Sequence, residues 1–324
     1  MHKDNSHFFI IISGPTGVGK SDLAVKLAQT MPAEIINGDM GQLYTPLTIG
    51  TAKPDWRAEP VPHHLFDILD EPINFSVTQY REKLLETMRA VWARGKIPIV
   101  VGGSSFYIKS IFFAPVDPDD NRSSRVIASA IVSRDTNGHP ELTTQLWQRL
   151  HEIDALRASQ INPNDRYRIV RALELWEKTG TLPSQLKPQF EAPANFLMLF
   201  VTRDREELYE NINKRVVAMI NHGWIGEVQK LSPAWQEFLQ QKKLIGYPEI
   251  IDYIKNGERN IAPLITKIQQ KTRNYAKRQL TFWRMLEQQL ETRTVNLTLL
   301  RLNLYIDQLS QEIQTIIEKE IGRE

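Results

Sequence analysis

The stretch Phe8-Phe9-Ile10-Ile11-Ile12-Ser13-Gly14-Pro15-Thr16-Gly17-Val18-Gly19-Lys20-Ser21 decides the fold. Five consecutive apolar residues are what a strand covered on both faces of a parallel sheet requires. Residues 14–21 then fit GxxxxGK[ST], and residues 21–31 carry Leu23, Ala24, Leu27 and Ala28 at helical spacing. Strand, glycine-rich turn and helix in that order make a phosphate cradle. The glycines let backbone N–H groups turn inward, Lys20 adds a point charge, the Ser21 hydroxyl can hold Mg²⁺, and the helix presents its positive end. A chance glycine turn is the competing reading, and the flanking strand and helix argue against it. The ligand is a diphosphate or a triphosphate, and ATP or GTP is the usual one for the pattern.

Reading outward, residues 34–37 and 97–101 form two further strands, each running into glycine. Residues 76–94 between them are amphipathic, with Ser76 as N-cap and Gly95 past the end. Alternation of strands and helices predicts a doubly wound α/β core. The pattern changes at Pro115 and Pro118 and again around Pro183, Pro188 and Pro193, which read as hinges. Between them residues 122–180 are helical in character, with a helix capped at Asn164 running through Val170, Leu173 and Trp176. The sheet resumes at 196–201, helices follow over 206–284, and a last helix is expected from about Asn303. The expected organisation is therefore a P-loop NTPase-like α/β core in two pieces, residues 1–116 and 194–324. A helical subdomain at 117–193 is inserted between them.

A chain of 324 residues with 41% hydrophobic and 24% charged residues has the composition of a folded globular protein. With no cysteine, disulfides, Cys-ligated zinc and thiol nucleophiles are excluded. The apolar run at 8–12 is too short for a signal-peptide core, and no segment approaches the roughly 18 apolar residues of a membrane helix, so a cytoplasmic protein without membrane attachment is expected. A net charge of +2 names no partner.

Asp39 stands just past the second strand, where ligands of open parallel sheets lie, and should face the same crevice as Lys20. Beside a bound diphosphate it could ligate Mg²⁺ through water or accept a proton from a nucleophile. A loop or capping aspartate is the plainer reading. Residues 264–284 hold six Lys and Arg and no acid. Arg273, Lys277 and Arg284 share one helical face that would suit an RNA backbone, or would serve as a solvated surface. The pair His63-His64 could suggest a metal, but adjacent loop residues rarely share one ion, so a structural role is expected. Trp92, Trp176 and Trp224 are expected in the core.

Five segments stand in order along the chain: Asn37-Gly38-Asp39-Met40-Gly41-Gln42-Leu43-Tyr44, Ile49-Gly50-Thr51-Ala52-Lys53-Pro54, Pro62-His63-His64-Leu65-Phe66-Asp67, Gly102-Gly103-Ser104-Ser105-Phe106-Tyr107 and Lys277-Arg278-Gln279-Leu280-Thr281-Phe282-Trp283-Arg284. Together they resemble the tRNA dimethylallyltransferase family, whose patterns are DSxQxY, DIGTAKP, PHHLID, GGTxxY and KRQxTWFR. The likeness spans about residues 8–284. Met40 stands where the family has serine, Asn211 where an arginine is common, and Phe282-Trp283 reverses the family's Trp-Phe.

The resemblance implies a tRNA prenyltransferase that moves a dimethylallyl group from dimethylallyl diphosphate to N6 of adenosine at tRNA position 37. It implies that residues 14–21 hold that diphosphate, with Mg²⁺ on Ser21, that Asp39 is the general base, that Ser104 meets the target base, and that Arg215 neutralises the leaving group. It further implies tRNA contacts at Asp39, Met40, Gly41, Gln42, Ser104, Arg125, Tyr167, Arg168, Arg171, Lys277 and Arg278, the anticodon stem-loop as partner, and action as a monomer. A P-loop kinase for a nucleoside or small metabolite also accounts for the loop and Asp39, but leaves the other segments without purpose. A protein that merely binds nucleotide and RNA is the third reading.

Overall fold

A computed structural model describes residues 7–116, 140–292 and 298–303. Six strands form one parallel sheet in the order β3-β2-β4-β1-β5-β6. They are β1 (Phe8–Ser13), β2 (Ala33–Asn37), β3 (His63–His64), β4 (Ile97–Gly102), β5 (Asn195–Thr202) and β6 (Thr298–Asn303). This is the expected P-loop NTPase-like α/β sheet. In register, Ser13 pairs with both Gly102 and Phe200, and Asn37 with Val101. The carboxyl ends of β1, β2, β4 and β5 therefore finish level, and the loops that follow them leave from one edge.

The continuous apolar runs are explained by cover on both faces. Helix α1 (Lys20–Thr30) buries Leu23, Ala24, Leu27 and Ala28 against Ile10, Ile12, Ile35, Ile99, Leu197 and Leu199. At 1% exposure, Leu27→Ala would cost roughly 2–5 kcal/mol through lost transfer energy and the cavity left behind. Helix α2 (Val77–Ala93) begins with a reciprocal cap, Gln79 N–H donating to Ser76 Oγ at 3.2 Å and Ser76 N–H to Gln79 Oε1 at 2.8 Å. Helix α3 (Ser105–Phe112) follows β4.

The chain clusters into two compact units, the second formed by Ser76–Gln79 and the described part of Phe113–Glu191. This unit contains α4 (Pro140–Ile153), α5 (Ala155–Ser159) and α6 (Arg166–Thr179) around Leu146, Leu150, Ile161, Ile169 and Leu173. The cap of α6 is Asp165, whose carboxylate accepts the Arg168 N–H at 3.1 Å, rather than Asn164 one residue earlier. In the first unit, helices α7 (Arg205–Asn221), α8 (Trp224–Lys230), α9 (Pro233–Lys242), α10 (Tyr247–Lys255) and the 30-residue α11 (Ala262–Glu291) follow β5. Trp283 of α11 stacks on Phe200 with ring centroids 4.1 Å apart. Among the three tryptophans expected inside, only Trp224 is fully buried. The strand β6 was not anticipated and ends at Asn303, where a helix was expected to begin; residues 304–324 lie outside the described ones. Among the described residues no helix is long and apolar enough to cross a membrane.

Candidate active site

Past the level strand ends lie two adjoining cavities that share Thr16, Asp39, Thr51 and Arg215 in their walls. The first, of about 510 Å³, gathers Lys20, Arg203, Lys214 and Arg215 against two acids, Asp22 and Asp39. Arg203 and Lys214 also pair with Glu207 and Glu210, and the cluster with Lys20 and Arg215 suits a polyanion. The second, of about 290 Å³, has an apolar side of Met40, Ile212, Val216, Met219, Trp224 and Leu244 that suits an apolar or flat group, with Arg215, Lys242, Lys243 and Arg278 also in its wall.

The loop of the first cavity is set by backbone geometry. Gly14 has φ 150°, and a Cβ there would stand 2.3 Å from the Val201 carbonyl, so no other residue fits. Lys20 arches back to donate to the Pro15 carbonyl at 2.8 Å. Burial lowers its pKa to about 8, with Asp39 opposing the shift and Arg215 adding to it. An arriving diphosphate would relieve that cost. Gln279 of α11 ties the loop to the end of β4, accepting the Thr16 N–H at 2.9 Å and donating to the Gly103 carbonyl at 2.7 Å.

Asp39 is positioned by fully buried Asn37, which accepts the Asp39 N–H at 2.8 Å and donates to the carbonyls of Asp39 and Leu65 at 3.0 and 2.9 Å. The Asp39 carboxylate accepts one hydrogen bond, from the Gly41 N–H at 3.0 Å, and no other among the described residues. Burial raises its pKa, and the Gly41 bond, Lys20 and Arg215 only partly offset this. A carboxylate kept short of donors in a cleft has the proton affinity a general base needs. Met40 keeps its backbone role, donating to Ser104 Oγ at 3.0 Å, while its side chain lines the apolar cavity.

The loop after Asp39 is clamped from a distance. Gln42 donates to the carbonyls of Thr51 and Ala52, both at 3.2 Å. The Glu227 carboxylate on α8 accepts the N–H groups of Thr48, Ile49 and Gly50 at 3.0, 2.6 and 3.3 Å, and the Tyr247 hydroxyl at 2.8 Å. Gly50 is required because a Cβ there would lie 2.1 Å from the Trp224 indole nitrogen. Lys53 donates to the Tyr44 carbonyl at 2.7 Å and pairs with Asp67, which also accepts from Trp56 and Arg57 at 3.0 and 2.9 Å. The collinear segments read from the sequence are thus one interlocked loop system.

A family model described as IPP transferase matches residues 42–286. The chain belongs to the IPP transferase family. It is 40% identical over 279 residues to a tRNA dimethylallyltransferase of Fervidobacterium nodosum, covering 85% of this chain and 87% of that one. With a Staphylococcus aureus tRNA dimethylallyltransferase the identity is 36% over 285 residues, covering 86% and 90%. A eukaryotic dimethylallyltransferase solved acting on tRNA superposes with a TM-score of 0.80 at 27% identity, over 98% of this chain and 80% of that one. The full-length tRNA isopentenylpyrophosphate transferase of Bacillus halodurans gives 0.64 at 30%, over 98% and 97%.

In this member of the family Thr16, Gly17, Gly19, Lys20 and Ser21 of the expected loop line the two cavities with Asp39, Ser104 and Arg215, while Gly14, Pro15 and Val18 are not in their walls. Arg278 lines the second, Lys277 beside it is exposed, and Gln42 and Gly41 line the first and second respectively. Asn211 lines the first cavity, where Lys214 and Arg203 also supply charge. On α6, Tyr167 and Arg168 are exposed and Arg171 is half-buried, 3.5 Å from Glu174. Arg125 lies outside the described residues. Arg273, expected on the RNA-facing side of α11, instead donates to Asn213 on α7 at 2.6 Å. His64 Nε2 donates to the Glu34 carboxylate at 2.6 Å, and His63 bonds the Val61 carbonyl at 2.8 Å. Among the described residues no group of three or more His, Cys, Asp or Glu could hold a metal ion. Glu227, Gln279 and Trp224 had not been read as site residues.

Proposed function

We propose that the protein transfers a dimethylallyl group from dimethylallyl diphosphate to the N6 amine of adenosine at tRNA position 37, releasing diphosphate. One observation carries the reading: Asp39, with raised proton affinity, lies in the wall common to a cationic cavity and an apolar one. The cationic cavity takes the diphosphate on the loop amides, Lys20 and Arg215. The apolar one leaves room for prenyl chain and adenine beside the same carboxylate. As the N6 to carbon bond forms and the carbon to oxygen bond breaks, the N6 proton passes to Asp39 and the electron pair leaves with the diphosphate. Removing that proton matters because the amine's lone pair is delocalised into the ring. Lys20 and Arg215 stabilise the departing charge.

Mg²⁺ is part of the proposal. Exposed Ser21 offers a hydroxyl and Asp22 a carboxylate in the cavity that holds Lys20, a sparse donor set that fits an ion keeping its waters and taking phosphate oxygens. When bound it would neutralise diphosphate charge. tRNA as acceptor is supported by the relatives, two of which are named for that substrate. That one chain suffices belongs to the same reading, since every group named comes from it.

The test is incubation with undermodified tRNA and labelled dimethylallyl diphosphate. Label at N6 of the position 37 adenosine is the expected result. ATP consumption with no label in RNA would replace this reading by a kinase.

A further inference from the structure

Beside the mouth of the apolar cavity, α11 turns an apolar stripe outward. Arg278, Phe282 and Met285 fall one turn apart along one face, with Arg278 exposed and lining the cavity, Phe282 half-buried and Met285 41% exposed. On Phe282 rests Phe106 from the first turn of α3, 63% exposed, with ring centroids 5.2 Å apart in an edge-to-face arrangement. Single exposed apolar residues are ordinary, but a contiguous set at the rim of a site marks a surface that something covers.

The address says what covers it. Phe106 lies two residues past Ser104, whose hydroxyl holds the Met40 N–H next to Asp39. Lys277 and Arg284 are exposed on the same helix, and residues 264–284 include no acid. An aromatic face bordered by cations is how proteins hold unpaired bases, the ring stacking on the base and the cations meeting the phosphates on either side. A protein partner would find no acidic counterpart here to pair with its own cations.

We propose that Phe106 and Phe282 form a stacking platform for the unpaired RNA base next to the adenosine that enters the cleft. The proposal rests on the tRNA reading above. Extruding one base strips its neighbour of a stacking surface, and an aromatic ring at the rim replaces what was lost. Because every base has a π-face, the platform would add affinity without reading sequence.

The variants Phe106→Leu and Phe106→Trp both keep apolar packing on Phe282 and differ in the π-face they offer. Each is assayed for prenyl transfer to full-length undermodified tRNA, and for binding of an anticodon stem-loop with 2-aminopurine beside the target adenosine. Phe106→Leu should raise KM for tRNA about 5- to 100-fold with kcat little changed, and abolish the 2-aminopurine fluorescence change. Phe106→Trp should restore both. The salt dependence of binding should keep its slope in Phe106→Leu and lose about one unit in Lys277→Ala. If the wild type prenylates tRNA while Phe106→Leu keeps its KM and its fluorescence signal, the platform is wrong. A wild type that puts no label into RNA would sink the functional reading itself, and the platform with it.

Discussion

Strand β2 has a buried carboxylate at its amino end and a half-buried one just past its carboxyl end, and their surroundings are opposite. Glu34, 2% exposed, is surrounded by donors: Arg94 donates at 3.1 and 2.5 Å, His64 at 2.6 Å, and Lys96 lies at 3.2 Å. Burial pushes its pKa up, but these bonds outweigh it and hold the group at about 2. Asp39 accepts a single backbone N–H, and burial wins over its more distant cations. A carboxylate given every partner is inert and fastens the chain; one denied them is primed to take a proton. The parallel sheet separates the two jobs, because ligands gather only where the strands end.

The largest expected effect falls on Asp39. Asp39→Asn keeps the shape and removes the base, so kcat should drop about 10²- to 10⁴-fold with tRNA affinity and thermal midpoint little changed. A loss of affinity as large as the loss of turnover would make Asp39 a positioning group and erase the contrast. Its raised pKa also fixes the acid side of the pH profile. kcat/KM should fall as pH drops through a value above that of an ordinary aspartate, and a break at or below pH 4 would argue that the carboxylate is well solvated.

At the other end, Glu34→Ala should lower stability by about 1–3 kcal/mol, since the partly exposed Arg94, Lys96 and His64 lose their common acceptor, and leave kcat near wild type. Denaturant titration beside a kinetic assay separates the two. The pH dependence follows from the direction of the shift. The folded pKa of about 2 lies below the ordinary 4.5, so this contribution is complete above pH 4.5 and disappears as pH falls toward 2. The alanine variant should lose that portion of the acid dependence, and an unchanged acid transition would show that the cluster contributes little.

The two ends were not equally legible in the sequence. Residues 8–39 announce themselves because their signals are local: an apolar run, glycines, a helical period, then an acid just past a strand. The collinear segments supplied Ser104, and the family resemblance they carry supplied Arg215. Gln279 and Glu227 were missed because their partners are distant, Gln279 bonding Thr16 across 263 positions and Glu227 the loop amides across about 178. Arg273 was misjudged for a related reason. Helical spacing fixes the face a residue occupies but not what the facing helix offers, here Asn213. The cap of α6 was misplaced by one residue because Asn164 and Asp165 both suit it, and β6 escaped because its leucines fit a helix or a strand equally well when only β5 decides.

Glu227 sharpens the comparison by a smaller step, being a third acid, saturated like Glu34 but spent on backbone N–H groups beside the site. Its loop carries Thr51 and Ala52, whose carbonyls hold Gln42 three residues from Asp39. Glu227→Ala should leave those amides without their acceptor, loosening the loop and raising KM for tRNA about 3- to 10-fold, with kcat reduced less because Asn37 still holds Asp39. Glu227→Gln retains one carbonyl oxygen for Thr48 and Ile49 and should recover most of the loss. If instead the alanine variant loses kcat as severely as Asp39→Asn at unchanged KM, the loop governs the base itself. Saturation and reactivity would then be properties of one network rather than of two strand ends.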